Sequence, residues 1–400
     1  MLSIGIDISK SSSMVSFLKP YGELVKRPYI IRHTKNEISE LIKMILAFKE
    51  EVKVVMEFTA TYHLPVLYEL QKAGIFVTMV NPLTMYKYSN TNIRPGKTDI
   101  KDSLVIANYG IDNWYRLQEY TNVDADYEHL RTLSRQYNQY ISMRVKARLT
   151  LVSLLDKSMP GITDLFENSH THLKKDKLNA FTLKYWHYDN ITKLSEKQFI
   201  HSYQAWAHKE GYVPSRDKAV AVYALAKNSI PTVASDIPST KMLISEAIRV
   251  HREINTSIEI ILTQMQGIAK EMKEYGILIS MKGIGEKLAP RFIAEVGDVR
   301  RFRNAGCLIA YAGIDAPPYQ SGCFSSTNRH ISKRGSRCLR KVGYEVVSSF
   351  KRQKPVDNEI YLFMLKKESE GKAKKVAKIA GLNKFLRIYY AKVSEAYNEY

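Results

Sequence analysis

The run Ile4-Gly5-Ile6-Asp7-Ile8 narrows the fold of this chain more than any other feature. It is a short apolar stretch broken by one carboxylate. Apolar runs of this length fit strands buried on both faces, and a carboxylate inside one is unfavourable unless something binds it. A second run, Val54-Val55-Met56, ends on Glu57. Two more acids, Asp99 and Asp102, are spaced to share one face of a helix. Acids at the ends of buried strands point to a divalent cation and phosphodiester chemistry.

The elements around these acids come in a definite order. Segments 3–8, 14–18 and 24–31 read as strands, the last two joined by a Pro20-Tyr21-Gly22 turn. Segment 36–48 has helical spacing, with Ile38, Leu41, Ile42, Ile45 and Leu46 on one side. A strand over 53–56, a helix over 64–73 stopped by Gly74, and a strand over 76–80 follow. Asn81-Pro82 breaks the chain, and 98–109 reads as a helix that Asp99 could cap. Three hairpin-linked strands followed by alternating α and β elements match the ribonuclease H-like plan. On that plan Asp7 and Glu57 emerge at neighbouring strand ends, and the helix with Asp99 and Asp102 packs beside them. Four such carboxylates could hold one or two Mg²⁺ ions, a pair lying about 3.5–4 Å apart.

Charge narrows the partners. Lys and Arg total 60 against 40 Asp and Glu, a formal net charge of +20 over 400 residues. That surplus calls for a polyanion: DNA, RNA or an acidic membrane surface. The length fits two or three domains. No apolar run is long enough to span a membrane, and the N-terminus lacks the basic start of a signal peptide. Cys307, Cys323 and Cys338 form neither a C-x-x-C pair nor a zinc spacing, so a reduced, cytoplasmic setting is the default.

After Asp126 the pattern turns helical. Leu130, Leu133, Tyr137 and Tyr140 form one stripe. Ile244, Ala247, His251, Ile254, Ile258, Ile261, Met265, Ile268 and Met272 form a longer one, which predicts a coiled coil or a long antiparallel helix pair. Ordinary bundle packing gives the same spacing, and His251 within the stripe reads as a packing or register residue. Segment 161–235 is rich in aromatics and lysines but holds no motif. Gly283-Ile284-Gly285 precedes a helix-like run, as in a helix-hairpin-helix that meets phosphate, although a plain turn fits as well. Ser321, flanked by turn formers, is sterically open; a nucleophilic role needs an activating base or metal, and from spacing alone, with Ser325 and Ser326 close by, a turn serine is the better fit. Lys372, Lys374, Lys375, Lys378, Lys384 and Arg387, with Tyr389 and Tyr390 nearby, suit nucleic-acid backbone contact or a solvated helix face.

Taken in order, these residues resemble a known family. The Asp7, Glu57, Asp99-x-x-Asp102 set, with Lys97-Thr98 before it, is similar to the DEDD transposases of the IS110 insertion sequences, relatives of the Piv-type DNA invertases. Gly283-Ile284-Gly285, Gly313-Ile314-Asp315, Gln320-Ser321-Gly322, Ile331-Ser332-Lys333-Arg334-Gly335 and Gly371-Lys372-x-Lys374-Lys375 follow in the family's order. The chain departs from the family at Ala60, often glycine, at Ser103, usually alanine, and at Lys282, commonly proline.

The resemblance implies an α/β plus α protein. A RuvC-like DEDD domain would cover 1–125, and coiled-coil helices 126–275, with an insertion at about 161–235. A mainly helical C-terminal transposase domain would cover 276–400. Asp7, Glu57, Asp99 and Asp102 would be the Mg²⁺ ligands, and Ser321 the nucleophile forming a covalent phosphoserine bond to DNA. Lys97, Gly283, Gly285, Lys333, Arg334, Lys372, Lys374 and Lys375 would contact nucleic acid. The resemblance further implies a homo-oligomer, dimer or tetramer, guided by a structured non-coding RNA that pairs with element ends and target DNA. Two rival readings stand beside it. One is a RuvC-like Holliday-junction nuclease using the acids alone. The other is a non-catalytic nucleic-acid-binding protein.

Overall fold

The computed structural model describes residues 1–59, 61–89, 98–120, 125–166, 176–317, 320–321, 324–325 and 330–398. The chain divides into two compact units, Met1–Asn122 and Val123–Tyr400.

The first unit holds strands β1 (Leu2–Ile8), β2 (Ser12–Lys19), β3 (Glu23–Arg32), β4 (Val52–Glu57) and β5 (Val77–Val80). Its helices are α1 (Lys35–Leu46), α2 (Leu64–Lys72), α3 (Pro82–Ser89) and α4 (Asp99–Asp112). The sheet order is β3-β2-β1-β4-β5. β1, β2 and β3 pair antiparallel, whereas β1–β4 and β4–β5 pair parallel. This is the ribonuclease H-like arrangement that the sequence pattern predicts, and the chain as a whole is α/β followed by α.

Three local expectations change. Asn81-Pro82 starts a helix instead of breaking the chain: the Asn81 side-chain oxygen accepts from the Leu83 amide at 2.8 Å, and proline is tolerated in a first turn. Thr98, not Asp99, caps α4, its Oγ1 accepting from the Lys101 amide at 3.2 Å. Leu46 is exposed, because it lies about 100° beyond Ile45 and leaves the buried face of α1.

Register assigns the two faces of the sheet. Ile4, Ile6, Val54 and Met56 face α1 and α2, burying Ile38, Leu41, Val66 and Leu70 in one core. The alternate residues Ser3, Gly5, Asp7, Val55 and Glu57 turn to the other face, where Val55 packs with Ile106 of α4. There α4 lies almost backbone-to-backbone on β1: a Cβ on Gly5 would stand 2.2 Å from the Ser103 carbonyl oxygen and 2.4 Å from the Ala107 nitrogen. Gly110 in turn sits over the Ser3 side chain.

Ser103, where the family usually has alanine, is fully buried and shares a 2.7 Å hydrogen bond with Ser16 of β2. Ser103→Ala leaves the buried Ser16 hydroxyl without that partner and is expected to lower stability by about 1–2 kcal/mol. The double variant Ser16→Ala/Ser103→Ala should recover most of the loss. Urea titrations of the three variants check this; a double-variant loss equal to the sum of the two single losses would mean that the hydroxyl pair is not coupled.

The second unit is built on α5 (Ala125–Ser158) and α11 (Pro238–Lys270). Tyr127 and Leu130 at the start of α5 share a core with Met265 and Ala269 at the end of α11. Leu151 and Leu155 share another with Ile244 and Ile248. The two helices therefore run antiparallel. Along α11 the buried lines are Ile244, His251, Ile258, Met265 and Ile248, Asn255, Leu262, Ala269. Ala247, Ile261 and Ile268 of the expected stripe are only partly buried, and Met272 lies past the helix end. The first of these lines, together with buried Ile254, belongs to the expected stripe; Asn255 hides the second, since a polar residue interrupts an apolar count. His251 packs beside Asn179 and Asn255, 3.2 and 3.5 Å from its Nδ1, and burial lowers its pKa, so it is a neutral packing group.

Between these helices, α6 (Ile162–Phe166), α7 (Lys177–Lys184), α8 (Asp189–Thr192), α9 (Glu196–Lys209) and α10 (Arg216–Asn228) enclose a core of aromatic rings. Phe181 lies within 5.0–6.1 Å of Phe166, Tyr185, Tyr203 and Trp206. The aromatic richness of this segment is therefore core packing.

The rest comprises α12 (Lys273–Ser280), α13 (Ala289–Val296), α14 (Ala305–Ala312), the short strands β6 (Gln320–Ser321) and β7 (Phe324–Ser325), α15 (Arg337–Gln353), α16 (Glu359–Ser369) and α17 (Lys374–Asn398). Phe292 of α13 packs edge-on against Phe385 and Tyr389 of α17 at 5.0 Å.

Candidate active site

The acids of the first unit are brought together by register and by one close helix–strand crossing. Ile6–Met56 is the last pair of the parallel β1–β4 ladder, and Asp7 and Glu57 are the next residues on the two strands, so alternation turns their side chains to the same face. Gly110 lies over Ser3, and Ser103 and Ala107 lie over Gly5, so α4 runs opposite to β1. Its first turn, with Asp99 and Asp102, is therefore directed toward the strand end that carries Asp7. Asp7, Glu57 and Asp102 are half-buried and Asp99 is exposed. The positive end of the helix dipole also favours acids in that turn.

The donor set is all carboxylate, with neither thiol nor imidazole, which is the hard-oxygen chemistry of Mg²⁺. The close approach at Gly5 is the cradle that brings α4 to the sheet. In donor type the residues fit a divalent cation. Among the described residues, however, no three acid, histidine or cysteine side chains stand close enough together to hold an ion as they are. Lys97 and Ala60, beside two of these acids, lie outside the described residues.

The sequence reading missed the aromatic wall next to Glu57. Phe58 meets His63 edge-on at 5.6 Å and Tyr120 at 6.0 Å. His63 is buried, its Nδ1 3.4 Å from the Thr59 carbonyl. No spacing signal marks these three residues; only the fold brings them together.

In the second unit, Ser321 lies on β6, which pairs antiparallel with β7 through Ser321 and Phe324. Its side chain lies outside the described residues. Segment 332–340, which follows in the chain, is tied to the end of α14 and the residues just after it. The Ser332 amide donates to the Asp315 carbonyl at 2.8 Å, Lys333 N–H to the Gly313 carbonyl at 3.0 Å, and Arg340 Nη1 to the Ala312 carbonyl at 2.8 Å.

The expected nucleic-acid contacts fall into distinct settings. Lys333 and Arg334 are exposed in this tied turn, Lys333 at a φ of 53°. Gly283 has a φ of 111°, and a Cβ there would meet the Phe350 ring at 2.5 Å, so packing alone requires glycine. Gly285 faces open space. Lys372, Lys374 and Lys375 are exposed. The neighbouring cations have partners in the chain: Lys378 donates to Ser348 Oγ at 3.1 Å, Arg387 donates to Asn383 at 3.0 Å, and Lys384 lies 3.6 Å from Glu359. Tyr389 is core, and the Tyr390 hydroxyl donates to the Phe302 carbonyl at 2.9 Å.

Known proteins share these features. A transposase family model of the IS110 DEDD type matches residues 4–160, and a model described as "Transposase IS116/IS110/IS902 family" matches 275–362. The pilin gene-inverting protein of Moraxella bovis is 31% identical over 121 residues, 30% of this chain and 36% of that protein. The chain thus spans about a third of that relative's length. An uncharacterized 44.8 kDa protein of insertion element IS116 from Streptomyces clavuligerus is 22% identical over 92% of this chain and 88% of its own. Thermus thermophilus RuvC, solved with a Holliday junction substrate, aligns with 30% of this chain and 99% of its own at 13% identity and a TM-score of 0.24. No helix among the described residues is long and apolar enough to cross a membrane. The two family models flank the insertion and contain both the four acids and Ser321, so the chain belongs to the IS110-type transposase family.

Proposed function

We propose that this protein is a DNA recombinase that cuts and rejoins strands through a covalent phosphoserine link. The observation that carries the reading is the placement of Asp7 and Glu57 just beyond the last β1–β4 pair with the acid-bearing end of α4 directed toward them, in a chain that also holds Ser321 on β6. The inversion of a gene, named for the Moraxella relative, is a reaction of the same kind, since strands are exchanged without net hydrolysis.

In the proposed reaction Ser321 Oγ loses its proton and attacks phosphorus. The new O–P bond replaces the bond to one deoxyribose oxygen, which leaves as a hydroxyl. A hydroxyl from another strand later reverses the exchange and frees the serine, so no external energy source is needed. Mg²⁺ bound by Asp7, Glu57, Asp99 and Asp102 would polarise the phosphate and neutralise developing charge. The acids lie in one compact unit and Ser321 in the other, so the two could come from different subunits of a dimer or tetramer. The net charge of +20 suits a second polyanion, a structured non-coding RNA that selects element ends and target.

The test is adduct trapping. Incubated with element-end DNA and its co-purified RNA, the wild type should yield a protein–DNA adduct that survives denaturation and maps to Ser321. Ser321→Ala should bind nucleic acid within about twofold of wild type and yield none. An undiminished adduct in Ser321→Ala points to another nucleophile. Hydrolysed ends with no adduct from the wild type point to the nuclease reading.

A further inference from the structure

The insertion carries a cleft that the recombinase reading does not use. It lies between α7, α9 and α11, has a volume of about 640 Å³, and is lined by residues between Ala180 and Arg252. Both family models stop short of it, one at residue 160 and the other beginning at 275. The cleft therefore lies outside both matched segments, with Arg252 contributed by α11 and the rest of its lining by the insertion.

Its lining combines two kinds of surface. Lys184, Lys209 and Arg252 supply three positive charges against the single carboxylate of Glu210. Trp206 and Leu183 supply an apolar wall. Leu183, 37% exposed, supplies most of the accessible apolar surface, and Trp206, 6% exposed and packed against Phe181 at 5.6 Å and Tyr212 at 5.7 Å, backs it rigidly. The Lys184 ammonium is also placed: it stands 4.8 Å over the Tyr185 ring and 3.4 Å from the Ser202 carbonyl.

We propose that this cleft seats one unpaired nucleotide of a single-stranded stretch of nucleic acid. The phosphates on either side would lie against Lys184, Lys209 and Arg252, the base against Trp206 and Leu183, and the Glu210 carboxylate would accept from an exocyclic amino group. A duplex makes poor use of such a site, because its bases are stacked inside and only its phosphates reach a protein surface. An acidic peptide would use the cations but not the apolar wall. A nucleotide whose base is unstacked uses both. The strand can be a loop of an RNA or a DNA strand opened during exchange; the recognising chemistry is the same. The proposal rests on the nucleic-acid role of the protein but not on its recombination chemistry.

The test uses the full chain and three labelled probes in fluorescence anisotropy: a mixed-sequence 12-nucleotide RNA, the same sequence as DNA, and a DNA duplex. Two variants are compared. One reverses charge (Lys184→Glu/Lys209→Glu/Arg252→Glu); the other fills the cleft without changing charge (Ala205→Trp). Each should weaken binding of at least one single strand by about 10-fold or more, the effect of losing one stacked-base seat. Duplex binding should stay within about twofold. Loss on RNA alone assigns the cleft to RNA, and loss on DNA alone assigns it to an opened strand. Photocrosslinking of a 4-thiouridine or 4-thiothymidine probe should label α7 or α9, and the label should vanish in Ala205→Trp. The proposal falls if Ala205→Trp melts like the wild type yet binds all probes unchanged with the crosslink intact. It also falls if single strands and duplex weaken equally, which is a general charge effect. Adduct formation at Ser321 is read separately on duplex DNA, so either idea can fail alone.

Discussion

Replacing Asp7 or Asp102 by asparagine is expected to reduce adduct formation by about 10³-fold or more, the rate equivalent of losing several kcal/mol of charge stabilisation at the phosphate. The substitution keeps the shape of each side chain and removes only its charge. Its effect on folding should be small. Asp102 sits in the first turn of α4, where an acid contributes about 0.3–1 kcal/mol through the helix dipole. A thousandfold loss of activity beside a shift that small in stability separates a ligand from a structural acid. Chelation by EDTA should reproduce the loss in the wild type, and Mg²⁺ should restore it. Wild-type rates in EDTA, or in either asparagine variant across a Mg²⁺ titration, would sink the metal role and leave the acids as strand-end and helix-start charges.

The same experiment bears on how the acids and Ser321 work together. If they act as one composite site, Asp7→Asn and Ser321→Ala subunits mixed in one oligomer should recover part of the adduct signal when the two groups belong to different subunits. If both must lie in one chain, mixing restores nothing. Either result extends the proposal, because the acids belong to Met1–Asn122 and the serine to Val123–Tyr400.

Much of the first unit can be read from residue order. β1, β4 and β5 are short apolar runs, and β3, with Glu23, Lys26, Arg27 and Arg32, is legible mainly because the Pro20-Tyr21-Gly22 turn separates it from β2. What sequence periodicity cannot reach is competition between neighbouring residues. Thr98 and Asp99 are both good caps, and only backbone geometry decides that Thr98 takes the position. Asn81-Pro82 carries both a turn signal and a helix-start signal, and packing of Met85 selects the helix. In α11 the stripe through Ile244, His251, Ile258 and Met265 is buried as its spacing predicts, but the parallel line Ile248, Asn255, Leu262 and Ala269 escapes an apolar count because Asn255 interrupts it. For the site, Asp7 and Glu57 stand out because carboxylates are rare at the ends of buried strands, and Asp99 and Asp102 because their spacing puts them on one helix face. Ser321 does not, because a serine hydroxyl acquires reactivity from its surroundings, and one residue type in a turn carries no trace of them.

Gly5 makes the strongest demand on the first unit, and it is also the residue on which the acid arrangement depends. Any β-carbon at this position meets main chain, not a movable side-chain tip: the Ser103 carbonyl oxygen at 2.2 Å and the Ala107 nitrogen at 2.4 Å. Both are far inside contact distance, so α4 would have to rise from the sheet. Lifting it would break the buried Ser16–Ser103 pair, open the Val55–Ile106 contact and move Asp99 and Asp102 away from Asp7. Gly5→Ala is therefore expected to destabilise the unit by about 3 kcal/mol or more, above the usual range for adding one methyl group to a core that can adjust. Gly5→Val should prevent α4 from docking at all. Gly285→Ala is the contrast: it lies beside a motif too, but its added carbon meets open space, so stability should change by under about 1 kcal/mol. Hydrogen exchange followed by mass spectrometry distinguishes the cases locally. Amides of β1 and α4 should lose protection in the Gly5 variants while α5 and α11 keep theirs. Native protection of α4 in Gly5→Val would mean that the helix does not sit on β1 as described, and the placement of Asp99 and Asp102 near Asp7 would fall with it.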